Sequence, residues 1–190
     1  MLDIAKRAAV VIVAAVIADG IVQAQISAPV PDTYAFLYSR YVDVKGARQR
    51  LPFTSISITY GGCLGTCPRY TATLNLDGSA TYDGKASVER KGRFTGLVSI
   101  GDFGQLSLLI ERSGFMKLSG GYGVSGTDLE TVTVCVTRRN GETKMVMNNG
   151  SAAPPEVWVL ERALAGVVSR IEWRPATTSK ISSAESVRTC

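Results

Sequence analysis

The residues of this chain that are best suited to chemistry are two cysteines, Cys63 and Cys67, in a glycine-rich segment. Paired thiols can form a disulfide bond, take part in thiol redox exchange, or hold a soft metal ion such as Cu(I). The chain of 190 residues contains no histidine. Its composition therefore excludes the usual histidine general base, the Ser-His and Cys-His nucleophile pairs, and every His-ligated metal site.

The spacing of the two cysteines allows a disulfide bond only if the chain between them curls. In a straight strand they would lie about 13 Å apart, and a disulfide needs Cα atoms within about 7 Å. Gly62, Gly65 and Pro68 permit the required tight turn. In an oxidising compartment we expect a Cys63–Cys67 disulfide, whose main effect is to fix the shape of the loop.

The alternative hypothesis for the same cysteines is a thiol redox or Cu(I)-binding site. Cys63, Cys67 and Pro68 resemble the Cys-x3-Cys-Pro motif of the Sco family of copper chaperones, and this resemblance implies copper as the ligand. The chain departs from that family because no histidine completes the copper site and because the motif lies between two predicted hairpin strands. We therefore predict no cofactor, and Cu(I) stays the alternative.

Two carboxylates, Asp128 and Glu130, form the second chemical candidate, since they lie two residues apart on one face of a predicted strand. Such a pair can perform acid–base catalysis when a cleft surrounds it. The alternative is a solvated strand entry, in which Val132 begins the core-facing side of the strand. A hydrolase is accordingly a third hypothesis, and it predicts a pocket around both carboxylates.

A glycine-rich segment, 121–126, matches the dinucleotide fingerprint G-x-G-x-x-G. That fingerprint works only with a strand before it and a helix after it. Here a helix is predicted before it and a strand after it, so the segment is expected to be a flexible loop. Cys135, farther along, is predicted to be a free thiol on a threonine-rich strand face, although the sequence leaves open its pairing with Cys190.

The first 24 residues predict an export signal. Lys6 and Arg7 precede an apolar run over residues 8–18, which is shorter than the roughly 20 residues that span a bilayer. The small residues that follow indicate cleavage after Ala24. The mature chain is therefore expected to be periplasmic or extracellular, with no transmembrane span. An uncleaved anchor or a buried N-terminal helix is the alternative.

The remaining chain predicts a lead-in segment over 25–51, one α+β domain over 52–174 and a disordered tail over 175–190. Some runs alternate apolar and polar residues, as half-buried strands do, and two others show helical spacing. The predicted order is β-β-β-α-β-β-α, over residues 55–60, 70–76, 80–94, 99–114, 129–137, 143–147 and 155–171. This order predicts an antiparallel sheet with two helices packed on one face.

Local signals mark the ends of these elements. Asp77-Gly78 suits the positive φ angles of a tight hairpin turn, and Asn140-Gly141 predicts a type I′ turn. Ser99 and Asp102 form a capping-box pattern at the start of the first helix, and Gly114 occupies the place of a left-handed C-terminal cap.

The charge pattern argues against nucleic-acid binding. The net charge is +5, with 45% hydrophobic and 19% charged residues, which is typical of an ordinary globular protein. The basic residues lie in scattered clusters with no aromatic residues between them, so we attribute them to solubility or to weak attraction to anionic surfaces.

A run of the form Cys-x-Gly-x-Cys-Pro-x-Tyr extends over 63–70, and weaker motifs follow at Leu76-x-Gly78, Gly114-Phe115 and Thr127-Asp128-Leu129. With these motifs, the segment 55–171 resembles a bacterial family catalogued as domain of unknown function 6438. The resemblance implies a small, exported α+β domain. It transfers no catalytic residue, because the family has no established activity.

These observations favour an exported, non-enzymatic domain that binds a protein or an envelope component. Loops carry binding residues more often than scaffold strands do, so loops 61–69 and 119–127 are the expected contact surfaces. The sequence makes no prediction of oligomeric state. The candidate contact residues are Tyr60, Gly62, Gly65, Pro68, Arg69, Tyr70, Tyr122 and Asp128.

Overall fold

The structure, a computed structural model, describes residues 44–176. The predicted signal, most of the lead-in segment and most of the predicted tail lie outside these residues. No helix among the described residues is long and apolar enough to cross a membrane. The elements are α1 Val44–Arg50, β1 Phe53–Gly61, β2 Arg69–Asn75, β3 Ser79–Ala86, β4 Gly92–Leu97, α2 Ile100–Arg112, a 3-10 helix Phe115–Lys117, β5 Gly121–Gly123, β6 Thr131–Arg138, β7 Thr143–Asn149, α3 Pro155–Arg170 and β8 Arg174–Pro175.

Within residues 44–176 the strands form one eight-stranded sheet in the order β5-β7-β6-β1-β2-β3-β4-β8. All neighbouring strands pair antiparallel except β5 and β7, which pair parallel. The α+β class agrees with the prediction. The predicted element order is wrong, because the structure adds α1, a fourth strand before α2, the short strand β5 and the edge strand β8.

The extra strand before α2 arises because the predicted strand 80–94 folds back on itself. It forms β3 and β4, which pair antiparallel. Gly84 makes the close return possible, since a Cβ atom at this position would lie 1.9 Å from the backbone oxygen of Arg90. Ser87, in the turn between the strands, has a φ angle of 52°, which non-glycine residues rarely adopt.

The glycine-rich segment begins with a strand instead of a loop. Gly121–Gly123 forms β5, which adds to the sheet beside β7, and the backbone N–H of Met147 donates to the carbonyl oxygen of Gly120 at 3.0 Å. Two of its three residues are glycines, so no alternation of apolar and polar side chains could indicate a strand here. No helix follows β5 directly, as a dinucleotide site would require.

Both predicted hairpin turns form, but neither is type I′. Gly78 and Gly141 have positive φ angles of 96° and 86°, whereas Asp77 and Asn140 do not. In each case the glycine N–H donates to the carbonyl three residues earlier, Asn75 or Arg138, at 3.0 Å. A type I turn followed by a left-handed glycine matches this geometry.

Helix α2 has the predicted N-terminal cap, Ser99, and the predicted left-handed glycine, Gly114, follows its end. The Ser99 hydroxyl accepts from the N–H of Asp102 at 2.9 Å and donates to its carboxylate at 2.7 Å. Gly114, just beyond the helix, has a φ angle of 64°. Asp102 also accepts from Arg170 at 2.9 Å, so the start of α2 is joined to the end of α3.

One face of the sheet packs against α2 and α3. The strands alternate buried and partly exposed residues, and the buried side chains of both helices belong to the same core. The prediction of helices on one face therefore describes α2 and α3 correctly. The largest fully buried side chains are Phe53, Phe103, Phe115, Ile56, Ile58, Leu74, Leu106, Ile110, Leu160, Leu164, Val134 and Val136.

The other face of the sheet is rich in serine and threonine. Thr59 and Thr71, directly opposite each other, are hydrogen-bonded through their hydroxyl groups at 3.1 Å. Cys135 lies on this face and is only 5% exposed. It is disulfide-bonded, so the prediction of a free thiol is wrong. Cys190 lies outside the described residues.

Candidate functional site

A cavity of about 660 Å³ opens at the end of the sheet where β1 ends and β2 and β6 begin, beside the N-terminal half of α3. Its size is within the range of small-molecule sites. It lies on the face of the sheet that packs against the helices. The lining residues are Tyr60, Pro68, Tyr70, Glu130, Val132, Asn148, Ser151, Trp158, Val159, Glu161 and Arg162.

The strand register brings the floor of the cavity together. Tyr60 lies opposite Tyr70 on β2 and opposite Val132 on β6, and Val132 lies opposite Asn148 on β7. Residues that are directly opposite in a sheet project on the same side, so these four side chains form one row. Glu130 is two residues before Val132, so its side chain projects on the same face of the sheet.

An aromatic ladder holds the tyrosines in place. The rings of Tyr60 and Tyr70 stack with centroids 4.8 Å apart, and those of Tyr70 and Tyr82 stack at 5.1 Å. The ring of Tyr82 also packs against the ring of Trp173, with centroids 5.4 Å apart. Stacked aromatic pairs stabilise a fold by about 0.5–1.5 kcal/mol beyond the area that they bury. The floor of the cavity is therefore a fixed surface.

Both cavity tyrosines stay in the neutral phenol form. Burial raises the pKa of Tyr60, and the nearby charges of Glu130 and Glu161 raise it further. Burial is also the main cause that raises the pKa of Tyr70, and the neighbouring Tyr60 raises it further. Neutral hydroxyl groups both donate and accept hydrogen bonds, so this pair can contact either kind of ligand group.

Glu161 is a buried carboxylate with a single side-chain amide as its hydrogen-bond partner in the described part of the chain. It is 8% exposed, and the amide nitrogen of Asn148 donates to its two oxygens at 3.1 and 3.2 Å. The amide oxygen of Asn148 accepts from the N–H of Ala153 at 3.0 Å, which fixes the amide. Burial raises the pKa of Glu161, and the charge of Glu130 adds to the rise.

The edge of the cavity is apolar and exposed. Trp158 and Val159 are 45% and 53% exposed on the first turns of α3, although both side chains are large and apolar. Pro68 borders the cavity at the end of the segment 62–68, which we name the disulfide loop. Leu64, on that loop, is 82% exposed. Exposed apolar groups gathered at one end of a domain are typical of interaction sites.

The disulfide loop contains the predicted bond. The sulfur atoms of Cys63 and Cys67 are 1.94 Å apart, and their Cα atoms are 5.5 Å apart. Gly62 starts the loop with a φ angle of 83°, and a Cβ atom there would lie 2.4 Å from the Cγ atom of Arg69. A side chain at this position would therefore displace Arg69. The loop is held by the bond and by this close packing.

Comparison with known proteins identifies the family. Residues 54–168 match the family described as Domain of unknown function (DUF6438). The chain belongs to this family. The DUF6438 match begins in β1 and ends in α3, so it includes every residue that lines the cavity. A search of curated proteins found no match.

The structure of this DUF6438 domain brings some of the predicted contact residues together and separates others. Tyr60, Pro68 and Tyr70 line the cavity. Gly62, Gly65 and Arg69 belong to the adjoining loop and strand but do not line it. The remaining two are farther along the chain. Tyr122 lies on β5, where its hydroxyl group accepts from the N–H of Ser119. Asp128 is exposed before β6 and has a φ angle of 66°.

The carboxylate pair of the hydrolase hypothesis is not the pair at the DUF6438 cavity. Glu130 lines the cavity, as that hypothesis expects, but Asp128 does not. The second carboxylate at the cavity is Glu161, which comes from α3. Among the described residues, no three acidic or cysteine side chains are grouped so that they could hold a metal ion.

The sequence patterns did not predict the contribution of α3 to the DUF6438 cavity. Glu161 lies four residues after Val157 and three before Leu164, and both of these are buried. A charged residue within an apolar helical stripe is a signal that the sequence already contains, since charged residues are almost never buried without a partner. The other missed residues are Asn148, Ser151, Trp158, Val159 and Arg162.

Proposed function

We propose that this chain is an exported, non-enzymatic binding domain, and that its cavity holds part of a protein or an envelope component. The observation that carries the proposal is the cavity of about 660 Å³ with Trp158 and Val159 exposed at its edge. Binding sites are typically concave and combine apolar side chains with polar groups that orient the ligand. This cavity has both.

The exposed apolar residues support binding over a purely structural role for the cavity. Leu64 is exposed on the disulfide loop, and Trp158 and Val159 are exposed on α3 at the edge of the cavity. Aromatic residues are enriched at interfaces, where tryptophan contributes more binding energy than most residues do. A partner that covers these side chains would remove their apolar surface from water.

The expected cost of burying Glu161 also supports a binding role for the cavity. A buried carboxylate with a raised pKa is held at a cost in folding free energy, because burial disfavours its charged form. An apolar residue would fit the stripe of α3 better. Natural sequences depart from local folding rules mainly at functional sites.

Export is part of the proposal and draws on two further observations. The first 24 residues have the charged and apolar regions of a signal peptide. Cys63 and Cys67 are joined by a disulfide, and such bonds persist mainly in exported proteins. Both features favour a compartment outside the cytoplasm.

Site-specific photo-crosslinking in the producing cells tests the binding proposal. We would replace Val159 by p-benzoylphenylalanine and compare it with the same replacement of Leu97, an exposed residue of β4 on the opposite face of the sheet. The expected result is a discrete crosslinked product at position 159 and none at 97. Equal crosslinking at both positions, or none at either, would contradict a specific site at the cavity.

A second candidate function is thiol redox exchange or Cu(I) binding by Cys63 and Cys67. The observation in its favour is that neither cysteine of the disulfide loop is fully buried. Both cysteines are partly accessible to solvent, and a reduced pair would offer two soft ligands to Cu(I). This candidate predicts a labile bond, which is tested below.

A further inference from the structure

We infer that the ligand of the cavity is a saccharide, a neutral ring that carries hydroxyl groups around its edge and has apolar faces. This inference rests on the proposed binding function and narrows its ligand to one chemical class. The observation that carries it is the mixture of side chains at the cavity, which provides hydrogen-bond donors, acceptors and an exposed apolar edge together.

The polar lining groups match a ligand that both donates and accepts hydrogen bonds. Glu130 and Glu161 accept, Arg162 donates, and the hydroxyl groups of Tyr60 and Tyr70 do either. A sugar hydroxyl group also donates and accepts at the same time. Each lining group therefore finds a partner on such a ring, whichever hydroxyl group it meets.

The charges at the cavity disfavour a simple ion. An anion would approach the carboxylates of Glu130 and Glu161, and a cation would approach the guanidinium of Arg162. Glu161 is buried, so an anion beside it is strongly disfavoured, whereas Arg162 is exposed and repels a cation less strongly. A neutral ligand avoids both conflicts and still receives charge-assisted hydrogen bonds from the two kinds of side chain.

The apolar residues match the faces of a sugar ring. Trp158 and Val159 on α3 and Pro68 on the disulfide loop border the cavity from two sides. The C–H groups of a pyranose ring form an apolar surface that can pack flat on an indole ring. Because Trp158 is 45% exposed, its ring is accessible for such packing.

The cavity is arranged before any ligand arrives. Asn148 fixes the orientation of the Glu161 carboxylate, and stacking fixes the rings of Tyr60 and Tyr70. The carboxylate keeps unused acceptor capacity, since one amide nitrogen serves both of its oxygens. Groups held in place in this way lose little entropy on binding.

Saturation-transfer NMR with defined sugars tests the inference on the full mature chain. The probes are maltotriose, cellotriose and chitotriose at millimolar concentration, with spermidine and citrate as charged comparisons. We expect saturation transfer to the ring protons of at least one trisaccharide and none to either ion. The affinity should fall about tenfold or more in the Glu161→Gln and Trp158→Ala variants, as expected for loss of one hydrogen bond to a charged group or of one aromatic contact.

The matched control is Leu97→Ala, which removes an exposed apolar side chain far from the cavity and should leave the affinity unchanged. Absence of transfer to all three sugars, or binding that the Glu161→Gln and Trp158→Ala variants retain in full, would overturn the saccharide assignment. Binding of spermidine that depends on Glu161 would show recognition of a cation instead. A crosslinked product at position 159 would still support the proposed binding function in either case, so the two failures are distinguishable.

Discussion

At the scale of single residues, Glu161 carries more information about function than any other side chain. Its neighbours on α3 explain the fold, whereas its own carboxylate is buried at the cavity with one amide partner. We expect Glu161 to lower stability, because burial raises its pKa. Residues with such a cost occur mainly at functional sites. The effect of Glu161 on folding stability and its effect on ligand binding can be measured separately.

Replacement of Glu161 by glutamine should stabilise the protein at neutral pH. In the unfolded chain the carboxyl group has its ordinary pKa of 4.5, and burial raises its pKa in the folded state. The folded state then holds the proton more tightly, so stability falls as pH rises from the unfolded value through the folded one. Glutamine does not titrate and can still accept from Asn148. The Tm difference between variant and wild type should therefore be positive at neutral pH and shrink on acidification toward 4.5.

Thermal melts followed by circular dichroism across this pH range measure the effect. Glu172→Gln, at an exposed position beyond α3, serves as the matched control and should change the pH profile little. A Glu161→Gln variant that is less stable than wild type at neutral pH would show that the carboxylate stabilises the fold.

Removal of the Cys63–Cys67 bond should have a modest effect on stability. The Cys63→Ser/Cys67→Ser variant loses a very short closed loop, for which the chain-entropy treatment gives about 2 kcal/mol. Urea unfolding should show this loss with little change in the slope. Intact-mass measurements of the wild type should show a pair that resists millimolar glutathione. A pair that glutathione reduces, or a reduced pair that takes up one equivalent of Cu(I), would favour the redox and copper hypothesis.

The disulfide could be predicted from the sequence because it is local. Two cysteines within one short glycine-containing loop are close enough to bond with each other, and export provides the oxidising conditions. The cavity could not be predicted in the same way. It needs Tyr60 and Glu130 to meet Glu161, and these residues come from segments whose distance is set by strand register and helix packing.

At the scale of elements, hydrophobic alternation located the long strands and the two long helices. It located them because each buries one face, which imposes a regular spacing on its apolar residues. The same pattern failed where glycine replaces the side chain that would show the period. Gly121 and Gly123 conceal β5, and Gly84 conceals the point where the third predicted strand folds back.

Gly84 should therefore tolerate no side chain. In the Gly84→Ala variant the new methyl group would meet the backbone oxygen of Arg90 at 1.9 Å, and backbone cannot move aside cheaply. We expect a loss of about 3 kcal/mol or more in urea unfolding, at the upper end of single-substitution effects. The contact lies where β3 and β4 separate, so amide exchange should rise first in these two strands.

Gly104→Ala is the matched substitution for that experiment. Gly104 lies within α2, and a Cβ atom there would meet only the side chain of Leu51, at 4.0 Å. Alanine is favoured over glycine in helices by about 1 kcal/mol, so this variant should be more stable than wild type. Equal effects of the two substitutions would contradict the proposed close contact at Gly84.

At the scale of the whole molecule, the two faces of the sheet have different tasks. One face buries the core under α2 and α3 and ends in the cavity, and the other presents rows of serine and threonine. The disulfide loop lies at the cavity end, where it connects β1 to β2. The single local bond therefore stabilises the edge of the site, whereas the core and the aromatic ladder hold its floor.

Export should determine whether the Cys63–Cys67 bond forms, because the signal directs the chain to an oxidising compartment. The protein isolated from outside the cytoplasm should begin at Gln25, since cleavage is expected after Ala24. Replacement of Lys6 and Arg7 by glutamate should hold the precursor in the cytoplasm, because the charged region of the signal is lost. Reducing conditions there should leave Cys63 and Cys67 as thiols.

N-terminal sequencing of the exported protein and thiol titration of both forms measure these outcomes together. Lys85→Glu/Arg90→Glu, with one residue in β3 and the other in the turn that follows it, is the control with the same change of charge and should be exported normally. Wild-type protein that stays in the cytoplasm with an intact Met1 would contradict export. A disulfide that forms in the retained precursor would contradict the link, because the bond would then need no oxidising compartment. The expected result is an oxidised protein that begins at Gln25 and a precursor whose cysteines are reduced. This result would place the disulfide loop and the cavity in the compartment where an envelope ligand occurs.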